Sequence, residues 1–200
     1  MSNNISADFI DRSNKGEIFS RQRFDDLQKW GFDVALNGTE HTHPEFIKRL
    51  HISDDPTSLI IRYQPDGIAS VGNIPRSFYL EAKASKYIER DAYLNYIRLQ
   101  MLGGIIYIVV LHNDYTGFCE IQDIEFEPIA TSIFPIEDGW LCPRKRTDWL
   151  IYRKTFKGSG TPFRGIDIKC LKEWAIFKQI VIIKLSQVLP CLNTANSILK

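Results

Sequence analysis

Between Gly104 and His112 runs an unbroken apolar stretch, Ile105 to Leu111 (IIYIVVL). It is too short to cross a bilayer, which takes roughly 20 apolar residues. It is also too rich in β-branched side chains, and too closely bounded by glycines, to be one face of an amphipathic helix. A strand with no polar alternation is one buried on both faces. Such a strand needs a layer above and a layer below. The 200-residue length allows one domain of that kind. With 44% hydrophobic and 24% charged residues, the chain is too apolar to be disordered.

The flanking segments supply the layers. An amphipathic helix is expected from Gly16, with Ile18, Phe19, Phe24, Leu27 and Trp30 on an apolar stripe and Gly31 as the helix-ending glycine. Phe32 to Leu36 reads as a short strand. Ser58 to Tyr63 reads as a strand from its β-branched content. Asp66 to Val71 is either a second strand or its continuation past a bulge at Gln64-Pro65. A turn at Gly72-Asn73-Ile74-Pro75 leads into a strand from Ser77 to Ala84. Ile88 to Leu102 has helical spacing, and Gly103-Gly104 stops it. The expected fold class is α/β, a central mixed sheet flanked by helices in the order αβββαβ, with a C-terminal α+β extension.

The domain organisation follows: a flexible tail over 1–13, a core over 14–113, and an extension over 114–200 packed on that core. Within the extension, Phe118 to Phe126 and Asp148 to Phe156 read as strands, and Ile166 to Phe177 as containing a helix. The net charge of +1 hides an asymmetry. Residues 1–143 carry a net −8, and residues 144–172 a net +7. An acidic body beside a basic segment suits a metal and a polyanion as ligands. The longest apolar run is too short for a membrane span, the polar first residues lack the apolar core of a signal peptide, and the four cysteines form no CxxC pair. A cytoplasmic protein with reduced thiols is the expectation, not a zinc ribbon or a dithiol redox enzyme.

The chemistry concentrates at Pro65-Asp66 and Glu81-Ala82-Lys83, fourteen residues apart. On a strand, Glu81 and Lys83 share one face while Leu80 and Ala82 point the other way. A hairpin through Asn73–Pro75 brings Asp66 back beside Glu81. Two carboxylates and one ammonium then meet at a sheet end. Magnesium selects carboxylate oxygens, carbonyl oxygens and retained waters. Asp66, Glu81 and the backbone carbonyl of Ala82 form such a donor set. Lys83 could orient or deprotonate an attacking water, or stabilise charge on a phosphate, and a nearby cation would depress its pKa.

These motifs, in this order of elements over residues 16–111, resemble the PD-(D/E)xK nuclease superfamily. That group includes restriction endonucleases, Holliday-junction resolvases and phage exonucleases. The resemblance implies a restriction-endonuclease-like fold and a Mg²⁺-dependent deoxyribonuclease, with Mn²⁺ able to substitute. Asp66, Glu81 and Lys83 match the signature, and Glu17 matches an acidic residue that many members carry in the first helix near the metal. Members often use a Gln, Arg or Tyr on the helix after the signature strand to contact the phosphate backbone. Tyr96 and Gln100 are the residues so placed here, with Arg90, Tyr93 and Arg98 on the same helix. DNA, double- or single-stranded, is the implied partner, and a homodimer is compatible with it.

The basic segment adds Arg144, Lys145, Arg146, Arg153, Lys154, Lys157 and Arg164 as phosphate contacts, interleaved with aromatics that can stack on bases. Plainer readings stand beside these. Asp66 suits a Pro-Asp-Gly turn, Glu81 and Lys83 suit an exposed edge strand, and Glu17 suits the first turn of a helix. A non-catalytic nucleic-acid-binding or assembly module on the same fold is the alternative. A weaker one is a histidine–metal site at His41 and His43 with Glu40 and Glu45.

Overall fold

A computed structural model describes residues 7–37, 56–72, 74, 76–153 and 160–187. His41, His43, the helical candidate at 45–50, Lys154 and Lys157 lie outside the described residues. The chain opens with α1 (Ala7–Lys29), followed by β1 (Phe32–Leu36), α2 (Pro56–Arg62), β2 (Gly67–Val71) and β3 (Ser77–Lys83). A short β4 (Tyr87–Glu89) leads into α3 (Arg90–Met101), then β5 (Ile106–His112) and β6 (Tyr115–Glu120). The remainder holds β7 (Ile136–Glu137), β8 (Trp140–Leu141), the single-turn α4 (Trp149–Tyr152), β9 (Phe163–Gly165), β10 (Lys172–Glu173) and α5 (Phe177–Gln187).

The main sheet has six strands in the order β1-β2-β3-β5-β6-β10. The first three form an antiparallel meander, and β3 runs parallel to β5 across the α3 crossover. β6 returns antiparallel to β5. A second, four-stranded sheet has the order β4-β9-β8-β7. The fold is thus mixed α/β with a central mixed sheet between helices.

β5 is the strand that the apolar run predicts. Tyr107 and Val109 enter one core, with Phe19, Phe24 and Leu27 of α1, Phe78, Leu80 and Ala82 of β3, and Phe177, Val181 and Leu185 of α5. Ile106, Ile108 and Val110 enter the other, with Ala92 and Tyr96 of α3 and with Trp140, Cys142 and Ile166. Phe177 sits at the centre of an aromatic cluster, its ring centroid 4.5 Å from Trp174, 4.8 Å from Phe118 and 5.7 Å from Phe78. Such pairs add about 0.5–1.5 kcal/mol each beyond the area they bury.

Several local expectations are corrected. Residues 58–62 are helical, not a strand: Pro56 occupies the helix's first position, where its missing N–H costs nothing. The carbonyl of Tyr63, just past that helix, accepts from Asn95 Nδ2 at 2.7 Å. α1 begins at Ala7, so the expected tail over 1–13 is helical from that residue. Gly16 lies within α1, and a mid-helix glycine costs only about 1 kcal/mol. Residues 149–152 form a helical turn in place of a strand, and the C-terminal helix starts at Phe177 where the reading ended it. The boundary at residue 113 falls in the β5–β6 hairpin, and the later segment supplies β6, β10 and α5 to the same layers. Gly31 ends α1 with φ 87° as read from sequence.

Gly67 sets how closely α1 approaches the sheet. A Cβ there would lie 2.6 Å from the Phe24 ring and 2.9 Å from the Ala35 carbonyl oxygen. Gly67→Ala is therefore expected to lower stability by about 1–3 kcal/mol in chemical denaturation, the usual cost of overpacking. Gly16→Ala, with nothing within 4 Å of the added methyl, is expected to raise it by about 0.5–1 kcal/mol.

Candidate active site

The β2–β3 hairpin fixes the register at the sheet end. Gly67 stands opposite Leu80, so Asp66 reaches the strand just where the ladder stops. Two reciprocal hydrogen bonds replace the missing rungs. The Ala82 N–H donates to Asp66 Oδ2 at 2.9 Å, and the Asp66 N–H donates to Glu81 Oε2 at 3.1 Å. Ser20 of α1 donates its hydroxyl to Asp66 Oδ2 at 3.3 Å. Lys83 Nζ lies 2.5 Å from Glu81 Oε1. Pleating separates the two faces as expected: Leu80 and Ala82 enter the α1 core, while Glu81 and Lys83 face α3.

Glu81 is only 4% exposed. Its partners are Lys83, the Asp66 N–H and the hydroxyl of Tyr96 on α3. Burial, reinforced by the Glu81 charge, holds the Tyr96 phenol well above its ordinary pKa. Asp66 is also unusual. Burial, and then repulsion from Glu81, push it up from 3.8 to about 7 against the opposing pull of Lys83 and its hydrogen bonds. For Lys83, burial pulls the pKa down, but the Glu81 and Asp66 carboxylates outweigh it and hold the ammonium above its usual value. The expected depression of the lysine pKa is thus reversed, because its immediate neighbours are anions.

These groups suit a hard divalent cation. Asp66 and Glu81 bring two negative charges against one ammonium, an excess that burial makes costly. The Ala82 N–H points at Asp66. In an extended strand a residue's N–H and C=O leave by the same edge, so the Ala82 carbonyl oxygen faces that side as well. Among the described residues there is no cluster of three or more His, Cys, Asp or Glu side chains able to hold a metal. The protein side would therefore be two carboxylates and a carbonyl, with waters completing the shell.

Other candidates sit elsewhere. Glu17 is exposed and pairs with Arg21 at 2.6 Å, one turn before Ser20. Gln100 lies at the far end of α3, hydrogen-bonded to Gln122. Tyr96, 2% exposed, cannot reach a phosphate backbone; it braces Glu81 instead. In the basic segment, Lys145 pairs with Glu137, and Arg146 binds Asp148 and covers the Tyr152 ring at 4.3 Å. Arg164 lies over the Phe126 ring at 4.4 Å, within the second sheet. Arg144 and Arg153 remain on the surface.

Sequence reasoning missed Ser20 and Glu89. Glu89, at the head of α3, accepts a hydrogen bond from Thr161 Oγ1 at 2.7 Å, and its charge is felt by both Lys83 and Tyr96. No motif marks either residue; only the fold brings them in.

No family model matches the chain, and no curated protein matches it. Among solved structures it is similar to Hjc, a Holliday junction resolvase from Archaeoglobus fulgidus, at 19% identity and a TM-score of 0.36. That similarity covers 54% of this chain and 76% of the archaeal one.

The raised Asp66 pKa sets a direction for stability. The folded state holds a proton that the unfolded state has released above about pH 4, so this group's contribution falls as pH rises from 3.8 towards 7. Asp66→Asn keeps an acceptor for the Ala82 N–H and removes the repulsion. The metal-free variant is expected to melt at or above the wild-type temperature at pH 8. Asp66→Ala orphans that N–H and is expected to cost about 1–3 kcal/mol. Thermal denaturation in chelator at pH 6 and pH 8 checks both.

Proposed function

We propose that the chain is a metal-dependent nuclease of the PD-(D/E)xK type that hydrolyses phosphodiester bonds in DNA. The observation that carries this reading is the pair of carboxylates, Asp66 and Glu81, held crosswise at a strand end beside Lys83. The order helix, antiparallel meander, helix, parallel strand around that pair supports the restriction-endonuclease-like assignment. So does the chemistry of the donor set, which is all oxygen.

Asp66, Glu81 and the Ala82 carbonyl would hold a magnesium ion, for which manganese would substitute. Such an ion supplies an acidified water and offsets phosphate charge. The chain's own residues do the rest. Lys83 and the Asp66 N–H hold the two oxygens of the Glu81 carboxylate, with the Tyr96 hydroxyl also on it, and Ser20 and the Ala82 N–H fix Asp66. These contacts hold the oxygens in place before substrate arrives, which is what makes electrostatic stabilisation effective. Lys83, cationic and partly exposed on the α3 face of β3, is placed to neutralise charge building on the phosphate in an in-line attack. Arg144 and Arg153, both exposed, would meet the DNA backbone, with Lys154 and Lys157 following in sequence. Contacts of this kind weaken steeply with salt.

The test is cleavage of plasmid and linear DNA with Mg²⁺ or Mn²⁺. Lys83→Ala and Asp66→Ala are each expected to reduce the rate by at least about 100-fold, the scale of losing one preorganised electrostatic contact. Titration calorimetry with Mn²⁺ should show binding by the wild type and none by Asp66→Ala. Cleavage that survives both substitutions overturns the reading. Metal-independent DNA binding with no cleavage establishes the non-catalytic alternative.

A further inference from the structure

The second sheet turns one side to the core and the other outward. Residues paired across a ladder share a side. Ile88 stands opposite Arg164, and Trp140 opposite Glu137. Ile88 and Trp140 are buried in the second core, so this side faces inward. The outward side carries the alternate positions. Glu89 pairs with Phe163, Phe163 with Leu141, and Leu141 with Ile136. Tyr87, two residues before Glu89 on the same strand, shares their side. Tyr87 is 49% exposed and Ile136 51%.

Aromatic rings run along this side in an unbroken row. Between centroids, Tyr87 meets Phe163 at 5.4 Å and Phe163 meets Phe134 at 6.0 Å. Phe134 meets Tyr152 at 5.8 Å, and Tyr152 meets Trp149 at 6.5 Å. The row begins beside the candidate site. Tyr87 is four residues past Lys83, so their backbones lie at most about 14 Å apart. The row ends among cations. A Cβ on Gly160 would lie 2.7 Å from the Trp149 ring and 2.9 Å from Arg144 Cγ, so Trp149 and Arg144 pack on the same point of the chain. Arg153 caps the α4 turn that carries Trp149 and Tyr152, and both arginines are exposed.

We propose that this outward face binds an unpaired stretch of DNA, with bases against the aromatic row and phosphates toward Arg144 and Arg153. It names the substrate of the candidate site as DNA with a single-stranded portion, and in that respect it rests on the nuclease reading. In a duplex the base faces are covered by neighbouring pairs, and the outside is phosphate. A face whose middle is Phe163, Phe134, Leu141 and Ile136 gains little from such a surface. An unpaired strand turns its base faces out, and stacking on aromatic side chains holds it whatever its sequence. Charge selects a polyanion over an apolar protein surface, since residues 144–172 carry a net +7. Glu89, hydrogen-bonded by Thr161 on the same side, repels phosphates. Bases, and not backbone, therefore pass that point. Arg146 covers the Tyr152 ring at 4.3 Å, so the exposed Tyr87 is the ring best placed to take a base.

The experiment measures fluorescence anisotropy of a labelled oligothymidine, and of a duplex of equal length, with the full chain in chelator. The single strand is expected to bind at least about tenfold more tightly than the duplex, the scale of one stacked base. Tyr87→Ala should weaken single-strand binding by about tenfold and leave duplex binding unchanged, while Tyr87→Phe, which keeps the ring, should bind as the wild type does. Ile136→Glu, at an exposed position, sets an anion in the middle of the face and should weaken the single strand as well. With Mn²⁺, a duplex bearing a single-stranded tail should be cut faster than a fully paired one. Equal affinity for single strand and duplex, wild-type binding by Tyr87→Ala, tighter binding of oligouridine than of oligothymidine, or equal cutting of tailed and paired duplexes overturns the proposal. Single-strand binding with no cleavage of any DNA supports the face and overturns the nuclease reading, so the two fail separately.

Discussion

The site depends on a crossed pair of hydrogen bonds at the end of one hairpin. The ladder between β2 and β3 runs out at Gly67 and Leu80. Beyond it, the amides of Asp66 and Ala82 would be left without partners in a partly buried place. Each is satisfied by a carboxylate from the opposite strand. That exchange fixes the direction of both side chains through the backbone itself. The precision at this point comes from the sheet and not from side-chain packing alone. Ser20 acts on Asp66, and Lys83 and Tyr96 act on Glu81.

The layers around the sheet explain why this hairpin stays put. Gly67 lets the Phe24 ring lie directly on the strand, which brings Ser20 of α1 within reach of Asp66. On the other face α3 delivers Tyr96 to Glu81. The C-terminal part of the chain does not merely lean on this core. Phe118, Trp174 and Phe177 complete the aromatic cluster around Phe78, and the Trp174 Nε1–H donates to Asp26 Oδ2 of α1 at 2.9 Å. The site and the C-terminal helix therefore share one hydrophobic core.

How much of this was legible in the sequence depended on whether the signal was local. The alternation around Glu81 has the two-residue period of a strand, the run at 105–111 is short and rich in β-branched residues, and Gly31 and Gly103 stop helices through their own backbone freedom. The register that joins Asp66 to Glu81 could be read because one turn separates the two strands. Residues 58–62 could not be read correctly: their β-branched content favours a strand, but Pro56 starts a helix, and intrinsic strand preference is weak against such context. Glu17 and Gln100 show the limit of helix spacing as a guide. Spacing gives the face of a helix, not the distance along it at which the sheet is met. The basic segment reads from sequence as a row of phosphate contacts, whereas Arg146 lies over the ring of Tyr152 and Arg164 over that of Phe126. The contacts of Ser20 with Asp66 and of Glu89 with Thr161 join residues 46 and 72 positions apart, and no local pattern encodes them.

One feature of the site is not explained by folding. A strand end that needs two hydrogen-bond acceptors can use Asn and Gln, which accept from an amide without carrying charge. Here the acceptors are Asp66 and Glu81, and burial, then repulsion from Glu81, pushes the Asp66 carboxyl to about 7. A single ammonium, Lys83, faces them, and it is bound to Glu81. Burying an unbalanced anion costs free energy that a neutral pair would spare. The charge is therefore the part of the arrangement that points to chemistry. A hard cation would satisfy the excess directly, through oxygens already aimed by the backbone. The same argument separates this pair from Lys145–Glu137 and Arg146–Asp148, where each anion has its own cation at the surface and nothing remains to be balanced.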